Sequence, residues 1–466
     1  MGNKAVKVIR VILALTFIGA AGYNVVPLAA SDISPYEAGA RALGLGGAFA
    51  ARADDPSALF YNPAGLAFQK GVRLKANIFF GKPGVTAVWP PTGMTYNNNP
   101  NQFRGSFAAS WQFLNRVTVG IGFYMPYHFS SEWPYNWAGT KISSKAALNS
   151  VFIRPAISIE VLKGLALGAG LDFVSAKTLW YHVLPFNLKN YPLPQDVSVE
   201  SIHDLKGTGM GFTAGLLWKA LPSIQFGVRY QHHVPIDFSG RNNYSVSYLD
   251  IGDMTVPDPT LSHRHLYDLI YMFYSFQRVT SRITFPKEIV GGVLFAPSSR
   301  LSFQLDLQWN GWSEMGRWEF RSVNPDEKLS PAFTSLYQEF YGIAPDYGYQ
   351  SAGLALKDSW RIKGGIEYQP APGFALRAGF ARQQGSTAVS DLNPLNPDQD
   401  RNVVSLGFGY QGPFFALGTD TELGQISFDM FLRYGFSKKE TSGLPGYPMV
   451  YRAKPWNMGV GVGVNF

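Results

Sequence analysis

The sequence contains no cysteine. This absence excludes disulfide bonds, thiolate metal sites and thiol nucleophiles. Charge is also scarce, because Asp, Glu, Lys and Arg make up 15% of the 466 residues, against about 25% in soluble domains. Beyond residue 30 there is no run of about 20 apolar residues, the length that a membrane-spanning helix needs. These absences argue against a helical membrane protein and against a disulfide-stapled secreted domain.

Aromatic residues and glycine are plentiful, at 15% aromatics, 24 Tyr and 49 Gly. Mean hydropathy is nonetheless close to neutral, at -0.04. A transmembrane β-barrel has this composition, because lipid-facing and lumen-facing residues alternate along each strand and average out. The net charge of +8 falls to +5 without Lys4, Lys7 and Arg10, and so small an excess on a long chain does not indicate nucleic-acid binding.

Residues 1–30 are interpreted as a signal peptide. Three basic residues precede the apolar stretch "VILALTFIGA", and "PLAAS" offers small residues for cleavage near Ala30. An uncleaved anchor helix is the alternative, although Gly, Tyr, Asn and Pro interrupt the second half of the apolar run. A signal peptide implies export from the cytoplasm.

Strict alternation of apolar and polar residues, as in "RLSFQLDLQWN" at 300–310, predicts strands with two different faces. Fourteen such segments are predicted, at 71–81, 103–113, 116–130, 147–161, 165–183, 207–219, 223–240, 281–296, 300–322, 359–369, 374–386, 401–411, 424–438 and 455–466. Links after even-numbered segments are mostly short and links after odd-numbered segments are long. An even strand count and this asymmetry are typical of outer-membrane barrels. Residues 71–466 are therefore predicted to form an all-β transmembrane barrel of 14 antiparallel strands, whereas a soluble β-protein has no reason to sort its loops in this way.

Residues 31–70 lack alternation and are rich in Gly and Ala, with Pro56 and Pro63 breaking any regular element. A disordered tail is the alternative, but the Leu, Phe and Tyr content is high for a solvated segment. We therefore expect an N-terminal plug inside the lumen.

The patterns "GLGGA" at 44–48, "ARADD" at 51–55 and "NPA" at 62–64 resemble the hatch of the FadL/TodX family of outer-membrane transporters for long-chain fatty acids and hydrocarbons. The resemblance implies that the segment blocks the barrel and moves to release a ligand sideways, where the third strand is kinked. The hatch residues that it implies are Gly44, Gly46, Asp54, Asp55, Asn62, Pro63 and Ala64. The candidate for the kink is Pro126, since proline cannot donate to the strand ladder; alternatively, Pro126 merely ends the strand. Asp54 and Asp55 are expected to pair with luminal Arg or Lys, or to form a turn before Pro56.

Two loops carry apolar residues at helical spacing and are candidates for ligand capture. They contain Leu266, Leu269, Ile270, Phe273 and Phe276 in one loop, and Phe333, Leu336, Tyr337 and Phe340 in the other. The alternative is that these helices pack on each other as a lid. Alternation also places five cations on the luminal face as candidates for a carboxylate head group: Arg229, Arg361, Lys363, Arg377 and Arg433. We expect that most of them pair with luminal carboxylates and that one or two bind ligand.

No catalytic motif, metal site or cofactor is predicted. The close histidine pairs, His232-His233 and His263-x-His265, lack the acidic spacing of a metal site. The predicted function is passive uptake of hydrophobic compounds, foremost long-chain fatty acids; the alternatives are neutral hydrocarbons, a general porin, or an adhesive barrel. Expected partners are the hydrophobic ligand, outer-membrane lipid and lipopolysaccharide, and the assembly machinery through the terminal Phe466, with the barrel a monomer that binds no nucleic acid.

Overall fold

The protein was analysed as a computed structural model. The structure describes residues 37–98, 100–134, 137–186, 188, 190, 193, 197–246, 251–273, 277–323, 335–336, 339–340, 349–352, 355–415 and 422–466. The predicted signal peptide lies outside the described residues. No helix within the described ranges is long and apolar enough to cross a membrane.

Fourteen antiparallel strands form the wall. They are β1 Val72–Lys82, β2 Gln102–Leu114, β3 Val117–Tyr124 and His128–Glu132, β4 Lys145–Leu162, β5 Leu165–Phe186, β6 Val197–Leu221, β7 Ile224–Gln231 and Val234–Ser245, β8 Gln277–Phe285 and Glu288–Ser298, β9 Leu301–Asn310 and Trp318–Val323, β10 Tyr349–Ala352 and Ser359–Tyr368, β11 Phe374–Gln383, β12 Arg401–Phe415, β13 Glu422–Ser437 and β14 Trp456–Asn465.

Each strand pairs with the next one along the chain, and β1 pairs with both β2 and β14. The sheet therefore closes on itself. The predicted fold class, a 14-stranded antiparallel barrel, is confirmed. Most even-numbered strands are joined to the next by short turns, which define the short-turn end of the barrel. The long links lie at the opposite end, called here the loop end.

One predicted boundary was wrong by ten residues, because β6 begins at Val197 and not near 207. Its first residues pair with the far end of β5, where Phe186 lies opposite Val197. The alternation there continues as Val197, Val199 and Ser201 on the buried side. Charged residues on the other side made this stretch resemble a loop in the sequence, although β5 and β6 form one long hairpin that projects at the loop end.

The two faces of the wall differ as the alternation predicted. On β9, Phe303, Leu305 and Leu307 point outward and are exposed, whereas Gln304 and Asp306 are buried against the lumen. Exposed apolar side chains on the outer surface of a closed barrel are typical of strands that face lipid.

The N-terminal segment, residues 37–70, crosses the lumen. It contains α1 Ala40–Gly44, α2 Ala58–Tyr61 and the 3-10 turn Pro63–Phe68. The first helix packs on β1 and β11–β14, whereas the 3-10 turn packs on β3–β6, on the other side of the barrel. Contacts with opposite walls place this segment inside the barrel.

Glycines on the inner wall let the segment approach the strands closely. A Cβ atom built on Gly365 of β10 would lie 2.6 Å from the Leu45 carbonyl oxygen, and one on Gly379 of β11 would collide with the Gly46 backbone. Gly227 of β7 faces the Ala50 carbonyl in the same way. Since Cβ atoms do not occur at such distances, these positions accept only glycine while the segment is in place.

Smaller elements cover the loop end. The strands Val85–Trp89, Met94–Asn98, Glu440–Thr441 and Val450–Ala453 form a separate sheet that joins the β1–β2 link to the β13–β14 link. The β7–β8 link carries the strands Thr255–Pro257 and His263–His265, followed by helix α3, Leu266–Phe273.

Neighbouring glycines allow a matched test of the packing between segment and wall. We expect Gly365→Val to displace the segment, because its side chain meets Leu45. Gly364→Val should have little effect, since a Cβ there meets only the Gln304 carbonyl oxygen, at 3.8 Å. Ion conductance in planar bilayers should rise for Gly365→Val and stay at the wild-type level for Gly364→Val. Equal conductance of the two variants would contradict this account of the packing.

Candidate functional site

A single carboxylate of the wall binds cations from the N-terminal segment and from the neighbouring strand. Glu367 of β10 lies 2.6 Å from Arg52 Nη2, 3.2 Å from Arg41 Nη2 and 2.7 Å from Arg377 Nε. Arg41 and Arg52 belong to the N-terminal segment, and Arg377 belongs to β11. The Glu367 side chain is only 2% exposed, so these hydrogen bonds replace the water that a carboxylate normally binds.

The two adjacent aspartates of the segment have different partners. Asp55 pairs with Lys75 of β1 at 2.9 Å, and Lys75 also contacts Asp429 of β13 at 2.7 Å. Asp54 contacts Arg41 and Arg52, both within the segment, and makes no ion pair with the wall in the described part of the chain. Only Asp55, therefore, links the segment to a wall cation as the sequence suggested for both.

Asp55 also forms the turn that was the alternative interpretation, since its Oδ1 accepts hydrogen bonds from the backbone N–H and the hydroxyl of Ser57. Burial alone would raise the pKa of Asp55, but the charges of Lys75 and Arg41 and the Ser57 hydroxyl lower this pKa to about 2. The carboxylate is therefore ionised at any pH near neutrality.

Asn62 and its neighbours fasten the middle of the segment. The Asn62 Oδ1 atom caps the 3-10 turn by accepting from Ala64 N at 3.1 Å, and Pro63 occupies the first position of that turn. The Asn62 amide donates to the Ala50 carbonyl at 2.9 Å and to the Leu216 carbonyl of β6 at 3.0 Å. Asn-Pro-Ala thus ties two parts of the segment to each other and to the wall.

Wall side chains also hold the segment by its backbone. Asp306 Oδ2 accepts from the N–H groups of Phe49 and Ala50 at 2.8 and 2.9 Å. Arg229 donates to the Phe60 carbonyl at 3.0 Å and pairs with Glu288 at 2.5 Å. Arg229 is therefore engaged with protein groups, as is Arg377 with Glu367 and Asp429. These two candidate head-group cations already have partners.

A fully buried ion pair on β4 and β5 escaped the sequence analysis. Arg154 donates to Asp172 through Nε at 2.6 Å and through Nη2 at 2.9 Å, and its Nη1 donates to the Leu59 carbonyl at 2.8 Å. The alternation of "VFIRPAISIE" places Arg154 on the inner face together with Phe152 and Ala156. This alternation was the sequence signal that could have identified Arg154 as a luminal cation.

The other three candidate cations meet in one cavity on the loop side of the N-terminal segment. Arg361, Lys363 and Arg433 line a space of about 70 Å³, enough for a few water molecules or one carboxylate head group. The lining also includes the charged residues Lys82, Arg401 and Glu37, and Gly46 of the N-terminal segment. Five cations and one carboxylate make this basic cavity net positive.

Glu37, the carboxylate of the basic cavity, is shared by two cations. Lys363 Nζ lies 2.7 Å from Glu37 Oε1, and Arg433 Nη1 lies 3.6 Å from Oε2. Burial would raise the pKa of Glu37, but Lys363 and Arg433 outweigh it and lower this pKa. Arg401 is paired with Asp398 at 3.3 Å. Arg433 thus makes the loosest of these ion pairs.

An apolar cluster fills the lumen from the segment towards the loop end. Phe49, Phe60 and Tyr61 of the segment form its base. Tyr124, Phe152, Tyr127, Phe285 and Trp312 continue it, and Tyr127 stacks on Phe285 with ring centroids 4.3 Å apart. A small cavity of about 10 Å³ beside Phe60 and Tyr61 shares Glu37 and Lys363 with the basic cavity. Apolar side chains and cations therefore adjoin on the loop side of the segment.

The wall is interrupted beside this cluster. Strand β3 stops at Tyr124 and resumes at His128, so Pro126 lies in the break and ends only the first half of the strand. Tyr124 lies opposite Phe152 of β4 and His128 lies opposite Asn149, so β3 has one residue more than β4. Between Phe107 and the loop end, β2 pairs with β1 and has no ladder with β3 among the described residues.

The candidate capture loops are only partly described. Leu266, Leu269 and Ile270 of α3 are fully buried with residues of the β5–β6 hairpin, so in this conformation they form a packed lid and not an open patch. Leu336 is exposed, and Phe340 packs against the same cluster. The side chain of Phe273 and the residues Phe276, Phe333 and Tyr337 lie outside the described part.

No group of His, Asp and Glu residues within the described ranges is arranged to hold a metal ion. His232 Nδ1 instead hydrogen-bonds the Tyr230 hydroxyl at 2.8 Å.

Comparisons with known proteins agree with this architecture. The model of the outer membrane protein transport protein family (OMPP1/FadL/TodX) matches residues 28–416. Outer membrane protein P1 of Haemophilus influenzae is 24% identical over 401 residues, which cover 73% of this chain and 84% of that protein.

Two solved structures share the fold. A Pseudomonas aeruginosa FadL homologue superposes with a TM-score of 0.74 at 17% identity, covering 93% of this chain and all of the other. The P. putida toluene transporter TodX superposes with a TM-score of 0.68 at 14% identity, covering 93% of this chain and 99% of the other. Relatives that are transport proteins agree with the prediction that the chain is not an enzyme.

The role of Glu367 is tested by removing its charge. We expect Glu367→Gln to loosen the segment, because three guanidinium groups lose a shared partner and removing one member of a buried ion pair costs about 3–5 kcal/mol. Proteolysis of the segment from the short-turn end should become faster. Asp237→Asn, which removes an exposed partner of Arg282, is the control and should leave the rate of proteolysis unchanged. If the segment in Glu367→Gln were cleaved no faster than in wild type, this role of Glu367 would be wrong.

Proposed function

Because this chain belongs to the outer membrane protein transport protein family (OMPP1/FadL/TodX), an outer-membrane family of transporters for hydrophobic compounds, we propose that its ligands are long-chain fatty acids. The carrying observation is the basic cavity, which is lined by five cations and one carboxylate and adjoins an apolar cluster. With Asp398, the partner of Arg401, included, five cations stand against two carboxylates. A fatty acid has the matching form, an anionic head and an apolar tail. A neutral hydrocarbon gains nothing from the cations.

The shape of the lumen supports a head group in the basic cavity and a tail in the apolar cluster. The basic cavity holds a head group but is too small for an alkyl chain, so the tail has to enter the region of Phe60, Tyr61 and Tyr127. Burial of each methylene there contributes about 0.8 kcal/mol. Binding therefore requires rearrangement of these side chains or of the N-terminal segment, which we propose acts as the hatch, with Gly44, Gly46, Asp54, Asp55, Asn62, Pro63 and Ala64 as its key residues.

Among the cations, Arg433 is the best placed to receive a ligand carboxylate. Its ion pair with Glu37 is 3.6 Å long, whereas Lys363 holds the same carboxylate at 2.7 Å. A guanidinium that exchanges a long ion pair for a bidentate one gains hydrogen bonds. Arg361 and Lys363 line the same space and supply the positive field around it.

The β3 break supports lateral release. An apolar ligand that leaves through the wall passes into lipid and never meets the polar short-turn end, where cavities of about 430 and 330 Å³ are lined by Arg52, Asp54, Arg73 and Glu367, or by Arg41, Asp54 and Lys75. Tyr127 connects the break to the apolar cluster. We propose that ligand captured among the outer loops reaches the cluster and leaves between β2 and β3.

Neutral hydrocarbons are the second candidate, because P. putida TodX, a toluene transporter, has the same fold and the luminal cluster is rich in aromatic rings. Fold alone does not choose between the two ligand classes. The charge of the basic cavity favours the acid, and this preference is open to experiment.

Competition binding on the purified, detergent-solubilised protein tests the head-group proposal. A long-chain acid should displace a fluorescent fatty acid far better than the alcohol of equal length. Arg433→Gln should weaken binding of the acid about tenfold or more and leave binding of the alcohol unchanged, because hydrogen bonds to charged groups contribute about 1.5–3 kcal/mol.

Arg382→Gln is the control, since Arg382 lies on the outer surface and pairs with Asp400. Equal competition by acid and alcohol in the wild type would overturn the fatty-acid proposal in favour of hydrocarbons. Failure of the probe to bind at all would point to a porin instead.

Lateral release is tested by removing the extra residue of β3. Deletion of Pro126 lets β3 pair continuously with β4, and we expect it to reduce uptake by cells at least tenfold while the purified protein still binds the fluorescent acid. Pro155→Ala in β4, where the strand is continuous, should keep wild-type uptake. Wild-type uptake by the deletion variant would rule out this exit.

A further inference from the structure

The outer surface of the barrel has one strongly basic region at the loop end. On β5 and β6 the exposed apolar side chains of the outer surface end at Phe173 and Met210, which lie opposite each other. In the next two rows towards the loop end the outward positions are polar or charged, and Leu179, the apolar residue opposite Asp204 in the third row, is half-buried. The change marks the level at which the surface leaves the apolar part of the membrane.

Three successive rows of outward positions follow this boundary. In the first, Asp237 of β7 lies opposite Arg282 of β8. In the second, Lys177 of β5 lies opposite Lys206 of β6, and Thr280 of β8 lies opposite Arg321 of β9.

In the third row, Asp204 of β6 lies opposite Arg241 of β7, which lies opposite Arg278 of β8. Neighbouring strands are about 4.8 Å apart, so the five strands span about 19 Å.

We define the outer basic face as Lys177, Lys206, Arg241, Arg278, Arg282 and Arg321. Their side chains point away from the lumen, and none takes part in the hatch or the basic cavity. Asp204, Asp237 and Glu319 are interspersed and make ion pairs with Lys177, Arg282 and Arg321 at 3.2, 2.6 and 3.3 Å. Six cations against three carboxylates give the face a net charge of +3. Residues 31–466 together carry a net charge of +5.

The opposite side of the barrel differs at the same level. Tyr434 and Phe436 of β13 point outward and are exposed, and Trp456 of β14 contacts Phe80 of β1 with ring centroids 5.6 Å apart. Transmembrane barrels usually carry an aromatic band of this kind at the membrane interface. The basic residues of β5–β9 therefore require a different explanation.

We propose that the outer basic face is a binding site for lipopolysaccharide, the phosphorylated glycolipid of the outer leaflet. Its acyl chains lie against the apolar band that ends at Phe173 and Met210, which puts its phosphates at the level of the three rows. Arginine presents a planar fork that matches phosphate oxygens, and four of the six cations are arginines. The three acidic residues hold Lys177, Arg282 and Arg321 in place, and the six cations outnumber them two to one.

The site needs both parts of the lipid at once. Phosphate alone meets an exposed, salt-screened surface, and acyl chains alone find the same apolar surface all round the barrel. Only a lipid with anionic groups directly above its chains meets both. The face thereby orients the barrel, with β5–β9 against ordered lipopolysaccharide.

The test compares a triple variant, Lys206→Gln with Arg241→Gln and Arg278→Gln, with wild type. Purified protein is incubated with lipopolysaccharide micelles or with the same lipid after removal of its phosphates, and bound lipid is measured by native mass spectrometry. Wild type should bind the phosphorylated lipid at least tenfold more tightly than the dephosphorylated one. The triple variant should bind both forms equally weakly.

Arg382→Gln, which removes an outward cation of β11 outside the outer basic face, is the matched control and should behave as wild type. Fatty-acid binding by the triple variant should be unchanged, which shows that it is folded. Undiminished binding of phosphorylated lipid by the triple variant would overturn the proposal. So would equal binding of the two lipids by wild type, or loss of selectivity in Arg382→Gln to the same extent, since charge anywhere on the barrel would then suffice.

Discussion

Charge compensation inside a closed wall is the constraint on which the structure depends. A barrel of fourteen strands is too wide for its own side chains to fill, and polar inward positions such as Glu367 and Asp429 have to find partners in the lumen. The N-terminal segment supplies Arg41 and Arg52 to Glu367, and Asp55 to Lys75. Wall and plug are thus incomplete without each other: the wall carries charges that the plug neutralises, and the plug folds only against the wall.

The segment divides the lumen into two regions of different chemistry. Towards the short-turn end, cations and carboxylates balance in a network centred on Glu367, and water-filled space borders it. Towards the loop end, cations outnumber carboxylates around Glu37, and the apolar cluster with Phe60 and Tyr127 replaces water. An anion with an apolar tail would therefore be stabilised on the loop side of the plug, whereas the net direction of passive transport is set by the concentration gradient of the ligand.

The fold followed from the sequence, because period-two alternation is a property of each strand by itself, as in "RLSFQLDLQWN". The site followed less well, because pairing across a lumen depends on which strands face each other. Alternation placed Arg229 and Arg377 inside and led us to expect ion pairs in the lumen, but it did not assign Glu288 to Arg229 or Glu367 to Arg377. Helical spacing identified α3, yet it showed only that Leu266 and Leu269 share a face and not that the β5–β6 hairpin covers them. Pro126 was visible as a break, whereas the one-residue excess over β4 depends on a register that only the folded sheet defines.

The way the plug is held also determines where it can yield. On the loop side its backbone is anchored by Asp306, which accepts from N–H groups, and by Arg229 and Arg154, which donate to carbonyls. These hydrogen bonds are set among apolar side chains, where a broken bond finds no water. On the short-turn side, Asp54 and Arg41 are partly exposed beside cavities of about 430 and 330 Å³. Charges that separate there are solvated again at once, so the free energy of separation is lower. If the segment acts as the proposed hatch, the contacts of Asp54 are therefore the ones expected to separate first, whereas the sealed half is expected to move only when an apolar molecule replaces the contacts that it gives up.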